Sequence, residues 1–465
     1  MRIRALSGDK WETTAMLDSF FGITRSGSTL RREVVGGFTT FATMSYIVFV
    51  QPTVLAMAGM NLGSVLLATC LSSAAACFLM GILANYPIAL APGMGENFLF
   101  VFTICGTMGF AWPSALAIVF ISGALFTLLS LFSFREKILD VFPPSLKHAI
   151  GPAIGLFIAF TGMQWAGIIV ISPATMVTLG PLKHAAPLTA LAGIAVTTIL
   201  LARGLNIAIL AGIASTTLLG VLTGVIPATL PDIVFSTESF FNLNFRDLLD
   251  HWQNALIAIA LFFFLDLFDT VGTLVGVSVQ AGFLTEDGKL PRAGRAFLSD
   301  ALGTCIGALF GTSTVTSFIE SATGVAAGAR TGLASLVTGL CFIAAILFAP
   351  LVALAGTNIG PDYYALLGLD HAAVAMYPTV APALIVVGFL MMAPLKRINW
   401  GDVTESLPAF FTVVVMVFGY GITEGISAGC ISFAGIKAAT GKHRDVHPIM
   451  YAIAAALLLR YIFLK

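Results

Sequence analysis

Two aspartates three residues apart, Asp266 and Asp269, lie inside the apolar run 262–270 of this 465-residue chain. A carboxylate at bilayer depth costs roughly 2.5–3.5 kcal/mol on insertion scales, so acids kept there usually contact a polar solute or carry a proton. On a helix the two would share a face. Thr270 follows Asp266 by four residues and Thr273 follows Asp269 by four, which gives a stripe of two carboxylates and two hydroxyls. Two readings fit the stripe. The acids are tied to arginine or backbone at a helix end, or they form a substrate contact (Asp266) with a proton-coupling set (Asp269, Asp266 and Thr270).

Two short polar stretches, 91–97 and 313–321, also interrupt the apolar pattern. Pro87 and Pro92 bracket an extended piece, after which Glu96 and Asn97 open a half-helix. In the second stretch the β-branched, hydroxyl-rich run 312–316 reads as an extended piece feeding a short helix at Glu320. Half-helices crossing at mid-membrane would aim both N-termini, with their free N–H groups, at one cavity. Glu96, Asn97 and Glu320 are then candidate ligand contacts. Phe318 is placed to stack on a flat ligand, with Ile319 between it and Glu320. The plainer alternatives are that Asn97 is an N-cap and Glu320 an ordinary first-turn residue. Broken backbone at this depth is tolerated only where protein buries it or a water-filled cavity adjoins it. Paired interruptions in two halves point to the midplane site of a secondary transporter.

The elements that position these residues are membrane spans. The chain is 58% hydrophobic and 10% charged, with mean hydropathy +0.97, whereas a soluble domain carries about 25% charged residues. Fourteen apolar candidates are read near 34–58, 63–84, 87–104, 112–133, 148–170, 186–202, 206–226, 253–277, 297–311, 313–329, 331–355, 372–393, 408–437 and 447–464. The longest polar interruption, 231–252, divides them into two sets of seven. Seven is odd, so the second set starts from the opposite face and the repeats are inverted. The expected fold is all-α and polytopic, with short extended strands in spans 3 and 10. Its domains are a cytoplasmic tail (1–33), a first repeat (34–230, core 34–134 and gate 140–230) and a second repeat (253–465, core 253–355 and gate 372–465).

With the N-terminus in the cytoplasm, Arg135, Lys137, Lys147, Arg203, Lys289, Arg292, Arg295, Arg330, Lys396 and Arg397 all fall on that side, in keeping with the positive-inside rule. Lys437, Lys442 and Arg444 disagree, since they land outside if 408–437 is one span. A break at Gly419-Tyr420-Gly421 would reverse the final loop. The polar lead with Arg2, Arg4 and Lys10 reads as a cytoplasmic tail rather than a cleavable signal.

Several function classes find no support. Net charge is zero and names no partner, nucleic acid included. The six cysteines form no CxxC pair and the six histidines show no metal spacing, so neither cofactor nor metal is expected. Gly93-Met94-Gly95 lacks the setting of a dinucleotide loop. No nucleophile–base arrangement suggests an enzyme.

Several long motifs resemble the purine-permease branch (adenine, guanine and hypoxanthine permeases) of the nucleobase–ascorbate transporter family. They are residues 37–41 through Gln51-Pro52, 91–97, 266–274, and 311–333, with a later likeness from 398 to 410. The resemblance implies a core of spans 1–4 and 8–11 and a gate of spans 5–7 and 12–14, with substrate held between them. It also implies that Asp266 and Glu320 bind the base, that Asn97 and Asp269 serve binding or the transport cycle, that protons are co-transported, that the protein dimerises, and that it resides in the plasma (inner) membrane. Glu96 and bulky Phe98 depart from the family's usual third-span motif, which bears on which base is carried. A uracil or xanthine carrier of the same fold is the alternative, and a sulfate-permease-like anion exchanger fits less well with so many acids.

Overall fold

The computed structural model describes residues 16–131, 142–172, 174–283, 290–368 and 375–463. Among them, seven helices are long and apolar enough to cross a membrane, and three shorter apolar helices accompany them. The first half runs α1 (Leu30–Met44), α2 (Ile47–Ala56), α3 (Leu62–Leu79), β1 (Leu90–Pro92), α4 (Met94–Phe98), α5 (Trp112–Leu131), α6 (Pro144–Trp165), β2 (Ile169–Ser172), β3 (Met176–Leu179), α7 (Ala185–Ala202) and α8 (Ala208–Leu222). The second runs α9 (Phe245–Asp250), α10 (Trp252–Ala281), α11 (Ala293–Phe310), β4 (Val315–Ser317), α12 (Ser321–Ala326), α13 (Gly332–Ala345), α14 (Ala349–Ala355), α15 (Pro361–Leu367), α16 (Ala381–Leu390), α17 (Val403–Phe418), α18 (Ile422–Ala439) and α19 (Pro448–Phe463). Short polar side chains start several helices. Asn61 accepts from Ser64 N ahead of α3, and Asn244 from Asp247 N ahead of α9. Past α4 the third span widens into a nine-residue π-helix, Leu99–Thr107.

Packing repeats between the halves. α3 lies on α13 as α11 lies on α5, and α7 packs on α8 as α17 packs on α18. α7 meets α16 as α17 meets α6, while α3 with α11 and α6 with α16 pair across the pseudo-two-fold. This is the arrangement of two inverted seven-span repeats. Close approach on the two-fold needs small residues. A Cβ on Gly388 of α16 would stand 2.2 Å from the carbonyl oxygen of Gly155 on α6.

The helices form a core (α1–α5 with α10–α14) and a gate (α6–α8 with α16–α18). An aromatic seam joins them. Phe98 and Phe102 of the third span meet Phe157 of α6 edge-on, and Phe102 and Phe157 both meet Tyr420.

The segment 408–437 is not one span. Tyr420 takes φ +51° between α17 and α18, which fold back as an antiparallel hairpin. A Cβ on Gly425 would lie 2.4 Å from Met416 Cβ, and one on Gly429 would lie 2.1 Å from Thr412 Oγ1. The hairpin is the counterpart of α7 and α8, so Lys437, Lys442 and Arg444 return to the end where Lys396 and Arg397 lie. The clash with the positive-inside pattern disappears. α19, expected as span 14, is an added helix beside α18, where Met450 shares an apolar cluster with Cys430 and Phe433 and the Tyr461 hydroxyl bonds to Glu424. Of the residues used for that pattern, Arg2, Arg4, Lys10, Arg135, Lys137 and Lys289 lie outside the described residues.

The base of the hairpin carries a buried ion pair. Lys437, 5% exposed in its side chain, meets Glu405 Oε1 at 2.5 Å, and the Ser145 hydroxyl of α6 donates to Glu405 Oε2 at 2.5 Å. Removing one partner strands the other charge. Lys437→Met is expected to destabilise the protein by about 3 kcal/mol, and adding Glu405→Leu to recover most of that loss. Thermal unfolding of the purified single and double variants checks both. Nearby, the Thr404 hydroxyl and amide and the Lys442 ammonium hold the Asp402 carboxyl down at about 2, so this cap of α17 stays ionised across the physiological range.

Candidate functional site

The two polar interruptions meet. Pro92 has no N–H to give a helix, and Thr314-Val315-Thr316 are β-branched, so neither stretch favours helix. Each is extended, and β1 pairs antiparallel with β4: Leu90 with Ser317, Ala91 with Thr316, Pro92 with Val315. Gly93 N donates to Thr314 O (3.0 Å) and Phe318 N to Ala89 O (2.9 Å). Ser321 Oγ accepts from Ala89 N (2.9 Å). The broken backbone of each repeat is thus satisfied by the other, which is what the bilayer interior demands.

Around this junction stand five carboxyl groups from four segments. Asp266 lies mid-way along the 30-residue α10 and is fully buried; the Thr304 hydroxyl of α11 donates to its Oδ2 at 3.1 Å. Asp300 of α11, also fully buried, accepts from Ser317 Oγ (2.8 Å) and Thr270 Oγ1 (2.7 Å). Thr270 in turn touches Thr316 Oγ1 at 3.0 Å. Glu96, in the first turn of α4, folds back over Gly93: a Cβ there would stand 2.1 Å from Glu96 Oε2 and 2.8 Å from Thr316 Cγ2. Glu320 accepts from the Tyr46 hydroxyl at 2.9 Å, and Asp269 is half-buried.

None of the five belongs to the three ion pairs formed among the described residues. Glu96 Oε1 and Asp266 Oδ1 are buried and accept no hydrogen bond among the described residues. Two unit charges 4 Å apart repel by about 4 kcal/mol at an effective dielectric near 20. Carboxyls gathered with no cation among the described residues therefore favour a state in which some of them carry protons. The arrangement can present acceptors to a ligand rich in N–H groups and can gain or lose protons.

The alternatives left open by the sequence now separate. The Asp266–Asp269 pair is not at a helix end, and no arginine among the described residues is tied to it. Asn97 is not an N-cap: Gly93 holds that position, and Asn97 sits inside α4, accepting from the Ser313 hydroxyl, with Met94 Sδ as the neighbour of its Nδ2. Glu320 stands at the cap position of α12, but its carboxylate goes to Tyr46 instead of the helix amides. Thr270 gives its proton to Asp300 rather than to either aspartate of its own stripe. Phe318 is buried in the main apolar core, while Ile319 is 52% exposed and leans on Gly276.

Sequence reading passed over Asp300 and Tyr46. Asp300 falls near the polar edge of a candidate span, where an acid is unremarkable. Tyr46 carried no signal, being one aromatic among many. Gln51, in the motif 37–52, donates to Thr312 Oγ1 at 2.6 Å and ties the first span to the same junction.

Comparison with known proteins places the chain in a family. The model of a family described as "Permease family" matches residues 31–359. The guanine/hypoxanthine permease PbuG of Bacillus subtilis is 42% identical over 462 residues, covering 97% of this chain and all of that protein. The adenine permease AdeP of Escherichia coli is 39% identical over 451 residues, 97% of this chain and 96% of its own length. Among solved structures, the transmembrane domain of the cyanobacterial bicarbonate transporter BicA superposes with a TM-score of 0.60 at 14% identity, covering 86% of this chain and 97% of that one. SLC26A9 gives 0.58 at 12% identity, covering 87% and 65%. At such identities the last two speak for the fold alone.

Proposed function

The chain belongs to the Permease family and is a multi-pass membrane transporter rather than an enzyme; from that premise we propose that it imports a purine nucleobase (guanine, hypoxanthine or adenine) by proton symport, with core and gate alternating access to the acid cluster. The observation that carries the reading is the cluster itself: five carboxyls at the β1–β4 junction with no cationic partner among the described residues, two of them with buried oxygens that accept no hydrogen bond there. Full-length relatives named for guanine, hypoxanthine and adenine support the substrate class.

In this reading the base enters between core and gate at the rim where Ile319, Asp269 and Glu320 are the accessible members. Its N–H edge donates to Glu320, as a carboxylate reads a base edge elsewhere. Asp266, Glu96 and Asn97 engage its other side. Protonation of Asp269 or Asp266 removes buried charge and lets the core move against the gate, while Thr270 on the same helix holds Asp300. The aromatic seam of Phe98, Phe102, Phe157 and Tyr420 is what separates on that movement. The N-terminus lies in the cytoplasm, as the basic residues imply, the membrane is the plasma (inner) membrane, and the assembly is a homodimer, as the family resemblance implies.

Uptake of radiolabelled hypoxanthine, in cells lacking their own purine permeases, tests the proposal. Protonophore-sensitive uptake blocked by unlabelled purines but not by uracil or sulfate is expected. Uptake blocked by uracil or xanthine but not by guanine or adenine would replace the guanine, hypoxanthine or adenine assignment, and uptake indifferent to the protonophore would end the symport assignment.

A further inference from the structure

Tyr46 stands at the joint between α1 and α2, 2% exposed, and its hydroxyl donates to Glu320 Oε1 at 2.9 Å. Its position is fixed by close packing of α1 on α12. A Cβ on Gly324 would lie 2.1 Å from Thr40 Oγ1 and 2.6 Å from Gly36 O, and Thr43 Oγ1 touches Thr323 Oγ1 at 3.1 Å. We infer that Tyr46 is a specificity-determining residue: by pinning Glu320 Oε1 as an acceptor it turns Oε2 to the ligand and weights the site towards bases that present N–H donors, guanine and hypoxanthine, over adenine. The inference rests on Glu320 reading the base, as proposed above.

The chemistry follows from the hydrogen-bond inventory. A phenol has one O–H, and Oε1 receives it; any proton on Glu320 then sits on Oε2. An ionised Glu320 offers acceptors only, which suits the adjacent N1–H and amino group of guanine or the N1–H of hypoxanthine. A protonated Glu320 offers a donor at Oε2 beside an acceptor, which suits the ring nitrogen and amino group of adenine. A hydrogen bond to a charged oxygen is roughly twice as strong as one to a neutral oxygen, so the phenol favours the first arrangement. Tyr46 touches Glu320 rather than the base, so its effect is on the choice between bases and not on recognition as such.

The test compares wild type, Tyr46→Phe and Glu320→Gln at matched membrane levels, reading inhibition of hypoxanthine uptake by guanine and by adenine. In Tyr46→Phe the preference for guanine over adenine is expected to fall roughly 5- to 10-fold. Placing 3-fluorotyrosine at position 46, almost the same size and a stronger donor, is expected to shift the preference the other way, and it decides the matter if the phenylalanine variant does not reach the membrane. An unchanged guanine-to-adenine ratio overturns the inference, including the case in which both bases weaken equally and the phenol merely props the carboxylate. Wild-type guanine inhibition in Glu320→Gln is a separate result. It would sink the carboxylate reading beneath the inference, and the inference with it.

Discussion

Glu320→Ala is expected to lower purine uptake by roughly 100-fold or more while leaving the protein folded and in the membrane. For guanine, whose N1–H and amino group both donate, the estimate comes from the loss of two hydrogen bonds to a charged acceptor, each worth about 1.5–3 kcal/mol. The fold should survive because Glu320 contributes no helix cap and its side-chain partner is the Tyr46 hydroxyl. That hydroxyl loses its acceptor, which costs about 1–3 kcal/mol and sets the expected fall in thermal stability. Uptake assays alongside size-exclusion profiles of the detergent-extracted protein separate the two effects. Undiminished uptake would remove the carboxylate clamp from the mechanism.

Asp300→Asn carries the second large expectation: uptake down about tenfold, with its dependence on pH between 5 and 8 and on a protonophore flattened. Asp300 accepts hydroxyl protons from Thr270 of α10 and Ser317 of β4, and so links the span bearing Asp266 and Asp269 to the strand that pairs the repeats. An amide can replace one acceptor but cannot take up a proton. One missing charge-assisted bond of about 1.5 kcal/mol corresponds to the tenfold loss. The measurement is initial uptake rate across that pH range, with and without protonophore. A variant whose pH profile overlays that of wild type would make Asp300 a scaffold between α10 and β4, with no part in moving protons.

The acids gathered at the β1–β4 junction differ in how visible they are in the sequence. Asp266 and Asp269 announce themselves, because a carboxylate among Phe and Leu residues is costly and therefore rare. Asp300 is as deeply buried, yet it lies five residues after Arg295, close to a polar loop, where an acid is unremarkable. Tyr46 reaches Glu320 across 274 residues of sequence, and no local pattern reports such a contact. At the end of the chain the sequence leaves two readings open, one span over 408–437 or a break at Gly419-Tyr420-Gly421, and the structure has the break. Hydropathy summed over 408–437 blurs a turn of three residues, and the positive φ of Tyr420 that makes the hairpin is a backbone fact.

By itself the sequence determined the membrane class, two inverted sets of seven spans, the two broken spans and their carboxylates, because hydropathy, charge and helix-breaking residues act over a few turns of chain. The tertiary structure decided the partners: Ser313 with Asn97, Tyr46 with Glu320, and Thr270 and Ser317 with Asp300. Those depend on the antiparallel pairing of β1 with β4, which brings Leu90 beside Ser317. Backbone that cannot be helical inside a bilayer must find its hydrogen bonds elsewhere, and here each repeat finds them in the other.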